Sequence, residues 1–186
     1  MYNSSERWKK LLADSKKEEE ELRNLLEITV YGSFKPDSEK QRLIKLVEAI
    51  RSEGFPSCDI VGGKLRPLTN GVNNSCMFYL KTSDVNLLVF TQRGKKLGVT
   101  DELAYVLYSL EMHQRRHHCA VFDQTSKTGY SALTFKQVEQ LKELSMLHVE
   151  FKNKRDLHKN AIGTVHNLFK ERRLELQMRL RAIQGI

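Results

Sequence analysis

Ser83-Asp84-Val85-Asn86-Leu87-Leu88-Val89-Phe90 is followed by a basic loop and then by Gly98-Val99-Thr100-Asp101-Glu102-Leu103-Ala104-Tyr105. The run 85–90 is short, apolar and rich in residues that favour strands, whereas the leucines and valines after Glu102 recur at helical spacing. The two segments predict a buried strand, a glycine turn and a helix with Glu102 in its first turn. Ligands of open α/β sheets bind where strands end and helices begin. Asp84 and Glu102 are therefore the first candidate functional residues.

Length and composition predict one soluble globular domain. The chain has 186 residues, of which 40% are hydrophobic and 29% charged, and no run approaches the roughly 18 apolar residues that a membrane span requires. The first ten residues carry no apolar signal core, so we expect a cytoplasmic protein that does not enter a membrane. We divide the domain 1–186 into an N-terminal helix (1–26), an α/β core (27–151) and a long basic amphipathic helix (152–186).

The net charge bears on the kind of partner, and the cysteines and histidines bear on disulfide and metal chemistry. The formal net charge of +8 and the isoelectric point near 9.4 favour an anionic partner. The three cysteines are widely spaced and odd in number, which is typical of reduced, structural residues. His113, His117 and His118 lie near one another in sequence, but no nearby carboxylate or cysteine completes a metal-ligand set. The sequence thus indicates neither a metal ion nor a cofactor.

Strand and helix patterns alternate along the rest of the chain. Strands are predicted at Ile28–Tyr31, 59–61, 119–122 and 147–151, with helices from about Ser38 and over about 134–146 between them. This alternation predicts a Rossmann/flavodoxin-like three-layer sandwich with a mostly parallel sheet and a ligand crevice above the strand ends. The loops after Tyr31, Phe90 and Phe122 should meet in that crevice.

A long final helix is predicted over about 154–183. One stripe of it is apolar and the other face holds lysine and arginine, including Arg172, Arg173 and Arg179. Such a seam favours packing against the N-terminal helix or a partner subunit, so we expect a homo-oligomer formed through the terminal helices. Nucleic-acid binding by the basic face is the alternative.

The two carboxylates suggest glycosyl transfer. A carboxylate in the first turn of a helix is stabilised in its ionised form by the helix dipole, and an ionised carboxylate can attack a sugar C1′ that develops oxocarbenium character. A second carboxyl group, for which Asp84 is the candidate, would handle a proton or orient a hydroxyl. Phe34 or Tyr31 could stack on a base. The structural alternatives are that Glu102 only complements the helix dipole and that Asp84 only caps a local turn.

In the order of its motifs the segment Ile28–Phe122 resembles the nucleoside 2-deoxyribosyltransferase-like family. Gly32-Ser33-Phe34 stands for the family's Gly-Pro-Phe turn, Gly98-Val99-Thr100-Asp101-Glu102 matches its Gly-Thr-x-x-Glu motif in spacing, and Asp84 is similar to its aspartate before the preceding strand. The resemblance implies that Glu102 is the nucleophile and that Asp84 orients the sugar. Toll/interleukin-receptor-like NAD-cleaving domains look similar in outline, and they also act on N-glycosidic bonds.

Two departures from the family modify the expected ligand. Thr29 stands where the family has a tyrosine, and Lys96 stands where it has an aspartate. The basic loop Arg93-Gly94-Lys95-Lys96 favours a phosphate, and hence a nucleotide over a nucleoside. The predicted substrate-binding residues are Gly32, Ser33, Phe34, Lys96, Gly98 and Thr100. The function predicted is an N-glycosidase or deoxyribosyltransferase-like enzyme, and the alternative is a nucleotide- or nucleic-acid-binding protein without turnover.

Overall fold

A computed structural model describes residues 4–61, 72–94, 97–126, 129 and 131–185. Five strands form one parallel sheet in the order β2-β1-β3-β4-β5. The strands are β1 (Ile28–Gly32), β2 (Cys58–Ile60), β3 (Val85–Phe90), β4 (Cys119–Gln124) and β5 (Leu147–Phe151). The predicted α/β fold with a parallel sheet is confirmed.

Seven α-helices and one 3₁₀ helix, all within the described ranges, surround the sheet. The α-helices are α1 (Ser4–Leu25), α2 (Asp37–Ser52), α3 (Val72–Thr82), α4 (Leu97–Tyr108), α5 (Phe135–Glu143), α6 (Lys154–Glu171) and α7 (Arg173–Gln184), and the 3₁₀ helix spans Leu110–His118. The segment directly before Ser83 is the helix α3.

The central strand β3 is buried along its whole length. Its side chains alternate between two cores because successive residues of a strand face opposite sides of the sheet. Val85, Leu87 and Val89 pack with α2, α6 and the end of α1, whereas Leu88 and Phe90 pack with α3, α4, α5 and the 3₁₀ helix. The result is a three-layer α/β/α sandwich.

The strand order places the topological switch point between β1 and β3. The chain leaves β1 for β2 on one side, and from β3 it builds outward to β4 and β5 on the other. Connections that leave two adjacent strands in opposite directions open a crevice above their carboxyl ends, where doubly wound folds bind ligands. The segments after β1 and β3 border that crevice.

The helix that follows β3 begins earlier than the sequence suggested. Thr100 and Asp101 read as a helix start, but α4 begins at Leu97 and carries no acidic residue in its first turn. Glu102 is the sixth residue of α4, so the predicted stabilisation by the helix dipole is wrong, because that effect fades beyond the first turn.

The predicted C-terminal helix is present, but it is not continuous. The chain breaks at Arg172, whose φ of −94° and ψ of 1° are not helical, into α6 and α7. Of the predicted apolar stripe, five residues are buried as expected, whereas Leu180 is partly buried and Ile183 is 69% exposed; the buried residues are Leu157, Ala161, Val165, Leu168 and Leu176. Arg172, predicted on the solvent face, is instead only 6% exposed.

The two terminal helices pack together, as the sequence suggested. Helix α1 contacts α7, with Leu22 and Leu176 both fully buried and the Gln177 side-chain amide donating to Glu18 Oε1 at 2.8 Å. The α1–α7 pair therefore belongs to the domain and extends it on one side. Within the described part of the chain, none of the helices is both long enough and apolar enough to span a membrane.

Candidate active site at the switch point

The loops after β1 and β3 touch each other at the crevice. A Cβ atom built on Gly94 would lie 2.7 Å from Ser33 Cβ and 2.7 Å from Thr91 Oγ1. The Gly94 amide donates to Thr91 Oγ1 at 3.1 Å, and Ser33 Oγ donates to the Lys35 carbonyl at 2.7 Å. Only glycine allows this close approach, so the two loops form one rim of the site.

Where the chain leaves β1 at Gly32, its backbone lies close to the neighbouring strand β3. A Cβ on Gly32 would lie 2.8 Å from a methyl group of Leu43 and 3.2 Å from the Val89 carbonyl oxygen. Phe34 follows with 36% of its surface exposed, so its ring is available to a ligand. Of the two aromatic residues considered for base stacking, Phe34 is the one that the geometry leaves accessible.

Tyr31 is instead part of the floor under the loops. It is 1% exposed, and its hydroxyl donates to Asn86 Oδ1 at 3.2 Å, while Asn86 Nδ2 donates to the Leu80 carbonyl at 3.1 Å. Burial, together with the nearby Cys119, Cys76 and Glu102, raises the pKa of Tyr31 well above its ordinary value. The ring cannot stack on a base in this position.

Glu102 faces α3 and the end of β1. Its side chain is partly buried, and it shares a hydrogen bond with Cys76 of α3. Burial raises the pKa of Glu102 to about 7, although the Cys76 hydrogen bond acts in the opposite direction. Burial and the same carboxyl group raise the pKa of the Cys76 thiol to about 12. Cys76 therefore stays protonated, and Glu102 is the group that changes protonation near neutral pH.

Asp84 lies at the amino-terminal ends of the strands, at the opposite end of the sheet from the loops described above. It precedes β3, whereas the loops described above follow β1 and β3, and parallel strands all run in one direction. Its Oδ2 accepts from the Glu27 amide at 2.9 Å and from Arg179 Nη2 of α7 at 2.8 Å. The structure does not bring Asp84 to the rim with Gly32 and Ser33, and its described partners account for a structural role.

A third loop, after β4, is folded around Asp123. This fully buried carboxylate accepts from the Ala132 and Leu133 amides at 2.8 and 3.1 Å and from Ser131 Oγ, and His148 Nε2 lies 3.4 Å away. Burial alone would raise the pKa of Asp123, but these hydrogen bonds, led by that of His148, lower it. Sequence reasoning missed this residue, although a lone acid at the end of a buried strand was a visible signal.

Hydrogen bonds of the Gln124 side chain join the loop after β3 to the end of β4 and to α2. Gln124, at the end of β4, accepts from the Gln92 amide at 3.0 Å and from Arg42 of α2 at 3.3 Å. Arg42 also lies 3.3 Å from Glu39, a first-turn residue of α2 that is only 2% exposed. These contacts tie the loop after β3 to the end of β4 and to α2.

Of the other predicted substrate-binding residues, two lie near the rim and one lies outside the described residues. Gly98 and Thr100 lie in the first turn of α4, Thr100 being partly buried, so both are at the carboxyl edge with the rim. Lys96 and Lys95 lie outside the described residues, whereas Arg93 of the same basic loop is exposed. Lys96 thus stays a prediction.

A cleft of about 260 Å³ lies away from this site. It is lined by residues at the start of β1 and β2 and by Tyr79 and Ser83 of the segment before β3, which places it at the amino-terminal edge. The cleft belongs to a different part of the surface from Glu102, and size alone does not make it the functional site.

Compared with models of known protein families and with curated protein sequences, the chain matches none of them. The interpretation of the site therefore depends on its own geometry and on the motif order described above.

Replacing Gly94 by alanine should destabilise the protein by about 1–3 kcal/mol, because the new methyl group would overlap Ser33 Cβ and Thr91 Oγ1 and force the loops apart. Chemical denaturation measures the change in the free energy of unfolding. Gly163→Ala is the matched control: this glycine lies in α6 with no atom within 4 Å of an added Cβ, and alanine should stabilise the helix by about 0.5–1 kcal/mol. Equal effects of the two substitutions would contradict the close approach of the loops.

Proposed function

We propose that the protein cleaves or transfers the N-glycosidic bond of a nucleotide or nucleoside, with Glu102 as the reacting carboxylate. The observation that carries this proposal is the position of the partly buried Glu102 carboxyl group on the helix that follows the switch-point strand, and burial there raises its pKa to about 7. A half-buried carboxyl with a thiol as its hydrogen-bond partner is a costly arrangement for structure alone, since a buried charge is usually paired. The resemblance in motif order to the deoxyribosyltransferase-like family points to the same residue.

The proposed chemistry uses the ionised form of Glu102. One carboxylate oxygen attacks C1′ and forms a glycosyl ester, while the C1′–N bond breaks and its electron pair leaves with the base, which takes a proton from solvent. Water, or a second base in a transfer reaction, then attacks C1′, loses a proton to solvent and releases the carboxylate. Desolvation strengthens the interaction between the carboxylate and the positive charge that develops on the sugar.

The rim residues would bind the substrate in this proposal. Phe34 offers a ring face to the base, and the backbone of Gly32, Ser33 and Gly98 permits the close approach of a sugar. Arg93, Lys96 and the first turn of α4 with Thr100 would attract a phosphate. Asp84 has no place in this scheme, because it is bonded to Arg179 at the opposite edge.

Binding without turnover is the second candidate function. The position of Asp84 favours it, because the resemblance implied a second carboxyl group beside the nucleophile, and Asp84 does not supply one. In this alternative the same crevice binds a nucleotide, or the basic face of α6 and α7 binds nucleic acid. The salt dependence of the affinity distinguishes nucleotide binding from nucleic-acid binding, because binding to a nucleic-acid backbone weakens steeply with ionic strength.

Incubation with a panel of nucleosides, nucleotides and NAD tests the enzymatic proposal. The unmodified protein should release free base from at least one substrate, measured by chromatography, and Glu102→Gln should lower the rate at least about 10³-fold because the amide cannot act as the nucleophile. The initial rate should rise with pH through about 7, since the ionised carboxylate attacks.

Glu48→Gln is the matched control, because Glu48 is exposed on α2 and lies outside the site; it should retain full activity. Base release that persists in Glu102→Gln contradicts the assignment of the nucleophile. A ligand that raises the melting temperature without base release supports the binding alternative.

We also propose that the protein forms a homo-oligomer through the terminal helices. The large apolar side chains exposed there are Trp8, Leu11 and Leu12 of α1 and Leu174, Met178 and Ile183 of α7. Water-exposed apolar side chains concentrated on one packed pair of helices are typical of interaction surfaces.

Light scattering coupled to size exclusion tests this proposal. The unmodified protein should elute with a multiple of its 21.6 kDa mass, and the double substitution Trp8→Lys and Leu12→Lys should return it to the monomer. Leu110→Lys, at a 90% exposed position outside the terminal helices, should leave the mass unchanged. A monomer in all three samples rules out the oligomer.

A further inference from the structure

Three arginines converge at the amino-terminal edge of β3 and β4, far from Glu102. They come from separate parts of the chain, namely the 3₁₀ helix, the break between α6 and α7, and α7 itself. We call this group the arginine cluster: Arg115, Arg172 and Arg179, with His117 and His118 beside them and Asp84 among them.

The contacts within the arginine cluster fix its geometry. Arg115 Nη2 donates to the Ser83 carbonyl at 2.8 Å and to His118 Nδ1 at 3.2 Å, and the His118 ring also hydrogen-bonds the backbone of Asp84. Arg179 Nη2 donates to Asp84 Oδ2 at 2.8 Å. Because His118 Nδ1 accepts a hydrogen bond from a guanidinium group, the ring is neutral. Burial of the ring, and then the positive charges of Arg172 and Arg115, lower the pKa of His118 to about 3.

The guanidinium groups are incompletely satisfied. The Nε atoms of Arg115, Arg172 and Arg179 are buried and make no hydrogen bond to the described residues. Arg172 is the most enclosed, with 6% of its surface exposed, and its described ion-pair partner is Glu175 at 3.5 Å. Nearly all buried polar atoms in proteins are hydrogen-bonded, so three such atoms in one cluster require an explanation.

The charges are also unbalanced where solvent is excluded. Asp84 is the buried carboxylate beside Arg172 and Arg179. Glu171 and Glu175 lie near His117, but both are exposed, where water and salt screen them. Burial lowers the pKa of Arg172 below its ordinary value. A desolvated cation without a full counter-charge is costly, and a bound anion would relieve that cost.

We propose that the arginine cluster is an anion site that binds a phosphoryl group, either inorganic phosphate or a phosphomonoester. Guanidinium groups match phosphate oxygens in charge and in the fork geometry of their donors. His117 is exposed and Arg179 is partly exposed, so an anion can reach the cluster from solvent. The site is separate from the switch point and does not depend on the proposed reaction of Glu102.

The site would also connect the ends of the chain to the sheet. Arg172 directly precedes α7 and Arg179 lies in the middle of this helix, which packs on α1, while Arg115 holds the segment before β3 through the Ser83 carbonyl. An anion between these arginines would stabilise α7 against the sheet. Phosphate binding is therefore expected to increase the thermal stability of the whole domain.

Thermal unfolding in inorganic phosphate tests the site, with chloride at equal ionic strength as the reference. A dissociation constant near 1 mM corresponds to a rise in melting temperature of about 7 °C at 100 mM phosphate. Arg179→Lys keeps the charge opposite Asp84 but loses the guanidinium fork. The difference in melting temperature between phosphate and chloride, measured on this variant, should be at most half of that of the unmodified protein. Arg181→Lys, exposed on the same helix, should keep the full rise.

Histidine-ring NMR locates the binding even where a variant folds poorly. Phosphate added to the unmodified protein should shift the ring resonances of His117 and His118 but not those of His113 and His158. The same titration with adenosine 5′-monophosphate identifies the source of the phosphoryl group: a tighter response to the nucleotide favours a phosphomonoester, and an equal response favours free phosphate. Equal melting temperatures in phosphate and chloride, or unchanged His117 and His118 resonances, would overturn the proposal.

Discussion

The burial of β3 on both faces is the constraint on which the rest of the structure depends. All six residues of this strand are buried, so helices must cover the sheet on both sides, and the chain must cross over between parallel strands. With β1 on one side and β4 on the other, this strand carries the switch point above its carboxyl end. It also fixes the position of Asp84 at its amino end. The two proposed sites lie at opposite ends of one strand.

These two ends differ in chemistry for a physical reason. At the carboxyl end the close contact of Gly94 with Ser33 brings two loops together, and the side chain of Glu102 loses solvent against α3. At the amino end, Arg172 and Arg179 lie beside the buried carboxylate of Asp84, and Arg115 of the 3₁₀ helix bonds the Ser83 carbonyl next to it. Desolvation disfavours charge in both places. It makes the Glu102 carboxyl group a weaker acid, and it favours the binding of an anion by the arginine cluster.

Much of the fold could be predicted from the sequence, because its strands are short apolar runs between helical patterns. The same local patterns failed where tertiary contacts decide the outcome. Thr100-Asp101 has the composition of a helix start, yet α4 begins at Leu97. The break at Arg172 has neither glycine nor proline to mark it. It coincides with the burial of the Arg172 side chain in the arginine cluster, which no local pattern encodes.

The candidate site was predictable in part. Glu102 and the rim residues follow from the rule that ligands bind at the carboxyl ends of parallel strands. By the same rule Asp84, which precedes its strand, belongs to the other edge, so its position could have been recognised from the sequence. The arginine cluster could not, since Arg115, Arg172 and Arg179 are far apart in the chain and only the packing of α7 brings Arg179 to Asp84.

The central claim is that burial at the switch point makes Glu102 a carboxyl group that titrates near neutral pH. The most direct measurement is a pH titration of the side-chain carboxyl carbons by ¹³C NMR, with the Glu102 resonance assigned by its loss in Glu102→Gln. The account predicts a midpoint at about 7, well above the ordinary glutamate value of 4.5. A midpoint near 4.5 would mean that the carboxylate is solvated and would contradict the account.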